Sequence, residues 1–217
     1  SNMEGHGQVS SLPHLGNHPK YGHLLKKLKA ADGSWAVRDD VTISYKAEQR
    51  KERNGRLTVG WGGEKHELGP ELMFGTIMGD KYDEHVLLIK TAWGGKDVSC
   101  DFRSPSAGKP TGAEAAYFAH KRKNGDTRKT GAYYRKMVSE IKETFDDIKN
   151  VVPGYKGQGY EIVGMAWFQG WNDGVGEQVN KDNYETNQAC LLSDLRQDLS
   201  LPNLPVVIAQ THVDDPD

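Results

Sequence analysis

The sequence has little that would tie it to a metal, a membrane or a nucleic acid. Its two cysteines among 217 residues, Cys100 and Cys190, lie far apart and form no CxxC pair, so neither a zinc ribbon nor a disulfide scaffold can be built on them. No stretch approaches the roughly eighteen apolar residues of a membrane-spanning helix. No basic segment followed by an apolar one opens the chain, and a signal peptide removed ahead of residue 1 stays open. Charge of one sign is missing too. The 28 Lys plus Arg against 30 Asp plus Glu leave a net of −2, without the field that a general binder of nucleic acid or anionic membrane needs. A small neutral or sugar-like substrate suits that balance. No glycine-rich phosphate loop joins a strand to a helix, because Gly60 to Gly63 is too short and lacks the Lys-Ser/Thr ending. No internal repeat is visible.

What is present indicates one domain, residues 1–217. The 36% of hydrophobic residues cluster into runs such as Val86-Leu87-Leu88-Ile89 and Pro205-Val206-Val207-Ile208, enough to bury a core, while 25 Gly and 9 Pro imply many loops. The first 56 residues are polar, with a short helix expected at 22–31 and a strand at 41–45. A helix starts near Gly69-Pro70, and a continuous apolar strand follows at 86–93, of the kind a parallel sheet covers on both faces. Residues 99–131 read as a surface insertion with a short helix at 113–120. A helix at 133–150 carries Met137, Ile141, Phe145 and Ile148 on its apolar face, with its polar face solvated. A strand at 160–169, a helix at 181–199 and a strand at 204–210 complete the alternation expected of an α/β fold with a parallel sheet.

Ligands in such sheets sit at the carboxyl ends of strands. The residues there are Trp93-Gly94-Gly95-Lys96, Gln169-Gly170-Trp171-Asn172-Asp173 and Thr211-His212. Two of the three combine a glycine, which lets a backbone amide approach a ligand, with a side chain that can donate a hydrogen bond. That combination suits an oxyanion hole.

The opening Ser1-Asn2-Met3-Glu4-Gly5-His6-Gly7 is similar to the tail of the Gly-Gln-Ser-Asn-Met motif of SGNH-type carbohydrate esterases, in the branch of sialate O-acetylesterases and acetylxylan esterases. Gly69-Pro70-Glu71, Trp93-Gly94-Gly95, Trp167-Phe168-Gln169-Gly170-Trp171-Asn172-Asp173 and the late strand at 204–210 agree in order. The resemblance implies a three-layer α/β/α sandwich of flavodoxin-like type and removal of O-acetyl groups from carbohydrate through an acyl-enzyme, with no metal or organic cofactor. It implies Ser1 as nucleophile, beside Asn2, with its own amide, an amide of Gly94 or Gly95 and the side chain of Gln169 as oxyanion donors. Asn172 and Asp173 would order the Gln169 loop, and Glu71 would pin loops by hydrogen bonds. Trp171 stands where much of the family has glutamate. The family's Asp-x-x-His segment and the strand before its nucleophile are expected outside residues 1–217. Secretion or a periplasmic location goes with the substrate class.

Several of these residues carry a second reading. Ser1-Asn2 ahead of Met3 can be a purification-tag scar, although Glu4-Gly5-His6-Gly7 continues the family pattern. Gln169, Asn172 and Asp173 can be plain turn and cap formers. His6, His14, His18 and His23 lack a metal-binding context and read as surface residues; His212, just after a strand, is the nearest thing to a base within these residues but reads as part of a loop, and His120 sits in the basic, solvated run 120–123. Trp93 and Trp171 can form a platform for a sugar ring, while Trp61, Trp167 and Phe168 suit the core. The whole can also be a carbohydrate-binding module that keeps the fold without catalysis.

Overall fold

The computed structural model describes residues 2–46 and 54–210. In chain order the strands and helices are β1 (Gly7–Gln8), α1 (Leu12–Leu15), β2 (Arg38–Tyr45), β3 (Asn54–Leu57), β4 (Glu67–Leu68), α2 (Glu71–Lys81) and β5 (Val86–Lys90). They continue with α3 (Gly112–Lys123), α4 (Ala132–Asp146), α5 (Ile148–Val151), β6 (Met165–Trp167), α6 (Trp171–Gly174), α7 (Gln178–Asp198) and β7 (Val206–Ile208). The fold is mixed α/β with small sheets. The chain divides into two compact units. One comprises Met3–Gly94 and Glu143–Gln158, the other Ser1–Asn2, Gly95–Lys142 and Gly159–Asp217.

In the first unit β2 is the middle strand, paired antiparallel with β3 and parallel with β5. Its sequence explains that place. Val41, Ile43 and Tyr45 alternate toward one face and pack with Leu57, Trp61 and Ala92. Thr42 and Ser44 on the opposite face are buried as well, so β2 is covered on both sides. β5 alternates in the same way, with Val86 and Leu88 against that cluster and Leu87 against Ile148, Val151 and Val152. Helix α2 lies close to the sheet because Gly75 and Gly79 face it. A Cβ at Gly75 would stand 2.4 Å from Leu57 Cδ2, and one at Gly79 would stand 2.6 Å from Val41 Cγ2. β1 and β4 form a separate antiparallel pair.

In the other unit β6 and β7 pair in parallel, Met165 with Val206 and Trp167 with Ile208. Helix α7 turns Leu191 and Leu195 inward, and Phe102 meets Trp167 edge to face with centroids 5.4 Å apart. β7 leaves Val207 72% and Ile208 48% exposed.

Three expectations are corrected. Residues 99–131 are a surface insertion only in their later part: Ser99, Cys100, Asp101, Phe102, Arg103 and Ser104 are all buried, while most of residues 105–131 are exposed. Their charges misled because they are neutralised internally: Arg103 Nη1 donates to Glu114 Oε1 at 2.7 Å, and the Asn187 amide reaches the same oxygen at 3.3 Å. The polar side of the helix expected at 133–150 is not wholly solvated either. Glu140 and Thr144 are buried, Thr144 meeting Ser44 Oγ at 3.4 Å, and the helix breaks at Asp147. The strands at 160–169 and 204–210 are only three residues each. Gly157 and Gly159, both with positive φ, take the approach to β6 out of the extended conformation. Among the described residues no helix is long and apolar enough to cross a membrane.

Candidate active site

Ser1, Thr211 and His212 lie outside the described residues. The segment that follows Ser1 starts with a 3₁₀ turn, Asn2–Glu4. From Glu4 onward it is held by a buried polar network in the unit Met3–Gly94. Lys90, the last residue of β5, is only 5% exposed. Its Nζ donates to the Glu4 carbonyl at 2.8 Å, the Trp61 carbonyl at 2.6 Å and Glu71 Oε2 at 2.9 Å, and lies 4.5 Å from the Tyr45 ring centroid. A buried ammonium requires this degree of pairing, and Glu71 supplies the countercharge. The other oxygen of Glu71 accepts the Gly69 N–H at 2.8 Å. Glu71 therefore joins the start of α2 to the end of β5.

Gly5 has φ +78°, and a Cβ there would stand 2.3 Å from Gly69 Cα, so the two backbones touch. The Gly5 carbonyl accepts the Gly63 N–H at 2.9 Å. His6, although exposed, bridges two buried carboxylates: its Nε2 is 3.2 Å from Glu4 Oε2 and its Nδ1 3.0 Å from Glu67 Oε2. The backbone of Gly94 rests against Glu4, whose Oε2 is 2.3 Å from where a Cβ would be.

The second group of candidates lies in the unit containing Gly95–Lys142 and Gly159–Asp217. Gly95 takes φ +68°, a left-handed turn that glycine adopts without strain. The next carbonyl, Lys96 O, accepts from two side-chain amides, Gln169 Nε2 at 3.0 Å and Asn172 Nδ2 at 3.2 Å. Gln169 Nε2 also donates to Asp173 Oδ2 at 2.7 Å. Both partners of Gln169 are acceptors, which fixes its amide orientation and leaves its Oε1 without a partner among the described residues. The Gln169 carbonyl accepts from Tyr184 Oη at 2.7 Å.

Asp173 is 1% exposed and accepts the backbone N–H groups of Val98 at 3.1 Å and Ser99 at 3.4 Å. Burial pushes its carboxyl up to about 6, against the opposing pull of the Gln169 and Val98 hydrogen bonds. Burial and the nearby Asp97 charge also raise Asp101. Arg128 pairs with Asp97, Asp101 and Asp126. Gly95 lines an open cleft of about 430 Å³ with Lys121, Asn124, Gly125, Asp126 and Arg128. Among the described residues no group of three or more His, Cys, Asp or Glu is placed to hold a metal ion.

Residues 1–215 match the family model described as carbohydrate esterase, sialic acid-specific acetylesterase. The chain belongs to this carbohydrate esterase family. No curated protein matches it. A 1.6 Å X-ray structure of an Arabidopsis thaliana protein is similar in fold, with a TM-score of 0.55 at 19% identity, over 95% of this chain and 68% of that one.

Within this carbohydrate esterase, two sets of the residues singled out in the sequence are drawn together. Glu71 and Gly94 both border the Glu4 to Gly5 segment through Lys90, Gly69 and the Glu4 carboxylate. Gln169, Asn172 and Asp173 all serve the turn after Gly95, as donors to Lys96 or acceptor from Val98. Trp93 is buried, which leaves no open ring face for a sugar and corrects its reading as a platform. Trp171 is 50% exposed and keeps such a face. Both N–H groups of Gln169 are engaged inside the protein, so as placed its side chain orients a loop and presents no free donor.

Lys90 and the Lys96 carbonyl were not singled out in the sequence. A lysine ending the apolar run Val86-Leu87-Leu88-Ile89 was the available signal for the first, since a charge at the end of a covered strand must find a partner. A backbone acceptor leaves no mark on the sequence at all.

Proposed function

We propose that the protein is a serine esterase that removes O-acetyl groups from carbohydrate. A histidine base takes the proton of Ser1 Oγ, which attacks the acetyl carbonyl; the tetrahedral intermediate collapses to an acetyl-enzyme with release of the sugar hydroxyl. Water, deprotonated by the same base, then cleaves the acyl bond and frees acetate. The oxyanion is held by the Ser1 amide and by an amide of Gly94 or Gly95, each donor contributing on the order of 3 kcal/mol in the transition state.

The observation that carries this reading is the treatment of the turn after Gly95. Two side-chain amides grip the Lys96 carbonyl and the buried Asp173 carboxylate grips the N–H groups of Val98 and Ser99, which is the preorganisation a backbone oxyanion donor needs. Gln169 then contributes by orientation, and as a direct donor only if one N–H leaves its internal acceptor. In fold, the parallel pairing of β2 with β5 and of β6 with β7 supports the three-layer α/β/α sandwich. Acetylated glycan as substrate, Trp171 as its platform and a secreted or periplasmic location complete the proposal.

One observation favours a second reading, a carbohydrate-binding module without catalysis: the exposed Trp171 is retained while the Gln169 donors are turned inward. Acetate release from a simple acetyl ester and from acetylated xylan, by the protein and its Ser1→Ala variant, separates the two. Turnover that falls at least about a thousandfold in the variant supports the esterase. Equal turnover in both proteins removes Ser1 as nucleophile, and a folded, inert protein that binds acetylated glycan establishes the module.

A further inference from the structure

The network around Lys90 has no role in the chemistry outlined above, yet its buried ammonium has an acceptor for each of its three N–H donors. Its Nζ is surrounded by acceptors from three separate stretches of chain: Glu4 O, Trp61 O and Glu71 Oε2. Two of these are backbone carbonyls. A lysine needed only to neutralise Glu71 would not have to reach them, and a glutamate needed only to neutralise Lys90 would not also bind Gly69 N–H. The carbonyl of Glu4 is the telling acceptor. It lies three residues along the chain from Ser1, at the end of the 3₁₀ turn Asn2–Glu4. The next carbonyl, Gly5 O, is fixed by Gly63 N–H, and Gly5 itself is pressed on Gly69.

From this geometry we infer that Lys90 is a positioning residue for the nucleophile segment. The ammonium fixes the Glu4 peptide, three residues along the chain from Ser1. It touches neither substrate nor reacting atoms. The inference rests on Ser1 being the nucleophile and adds the device that holds it. Catalytic groups misplaced by about 1 Å can lose on the order of a hundredfold in rate. Loss of Lys90 is therefore expected in kcat, while KM, set by groups that bind the sugar, stays within about threefold.

The test is steady-state hydrolysis of an acetyl ester by the protein and by two variants, the charge-balanced Lys90→Met/Glu71→Gln and the charge-preserving Lys90→Arg. Ile43→Ala, which weakens the same unit's core without touching an acceptor of Lys90, serves as the control for destabilisation alone. Folded Lys90 variants with kcat lowered about a hundredfold, KM little changed and an Ile43→Ala protein of near-normal kcat are the expected result. A folded Lys90 variant with normal kcat, or an Ile43→Ala protein equally impaired, overturns the proposal.

An active Ser1→Ala protein removes the nucleophile reading and this inference with it. A dead Ser1→Ala protein beside a fully active Lys90 variant removes the inference alone.

Discussion

Replacing Asp173 by asparagine should change how stability depends on pH in a direction opposite to that usual for a carboxylate. Most native carboxylates are paired, titrate below their ordinary range and stabilise the fold as pH rises. Asp173 is raised from 3.8 to about 6, chiefly because it is buried. In the native state it holds its proton where the unfolded chain has already lost it. Its contribution is complete below pH 3.8 and is lost as pH rises through about 6. A shift of two units corresponds to about 3 kcal/mol, of which about 2 kcal/mol falls between pH 4 and 7.

Asparagine cannot titrate and cannot accept from Val98, Ser99 and Gln169 together. Asp173→Asn should therefore carry a penalty that does not vary with pH. The assay is urea unfolding of both proteins at intervals from pH 4 to 7, followed by tryptophan fluorescence and compared as a difference, so that the other carboxylates cancel. The advantage of the natural protein over Asp173→Asn should shrink by about 2 kcal/mol across that range. A difference that is flat, or that grows with pH, would refute the assignment of the raised carboxyl to Asp173.

Two further substitutions probe the two units separately. Gly5→Ala needs a Cβ at φ +78° and 2.3 Å from Gly69 Cα, a clash with backbone that cannot turn aside. It should cost more than about 3 kcal/mol in thermal or urea unfolding, and a loss under about 1 kcal/mol would show that the Gly5 and Gly69 backbones are not in contact. Phe102→Ala removes a buried ring packed on Trp167 and Tyr133 and should cost about 3–5 kcal/mol, whereas a residue in a surface insertion would cost almost nothing.

The periodic segments were legible in the sequence because local pattern and tertiary role agree there. The helix starting after Gly69-Pro70 is α2, the strand at 41–45 lies within β2, and the helix at 181–199 overlaps α7. Reading failed where polarity was satisfied internally. Asp97, Asp101, Arg103 and Glu114 look like surface charges in the sequence, and only long-range partners reveal them as an interior. The family was readable from short motifs in order, whereas the local work of those residues was not. Nothing in the letters Gln-Gly-Trp-Asn-Asp says that the amides of Gln169 and Asn172 converge on one carbonyl 73 and 76 residues away. The buried position of Trp93 was hidden for a similar reason, since a strand-end aromatic can point to core or solvent with equal ease.

The first unit is discontinuous in sequence, and that bears on the order of events during synthesis. Leu87 of β5 is covered by Ile148, Val151 and Val152, which are made some sixty residues later. While the intervening chain emerges, the strands already made hold one finished face, around Ile43 and Leu57, and one bare face. Folding of this unit from its amino end must therefore wait, partly formed, for residues 143–158. A nascent chain stalled in that interval offers an apolar strand face to chaperones and to other copies of itself.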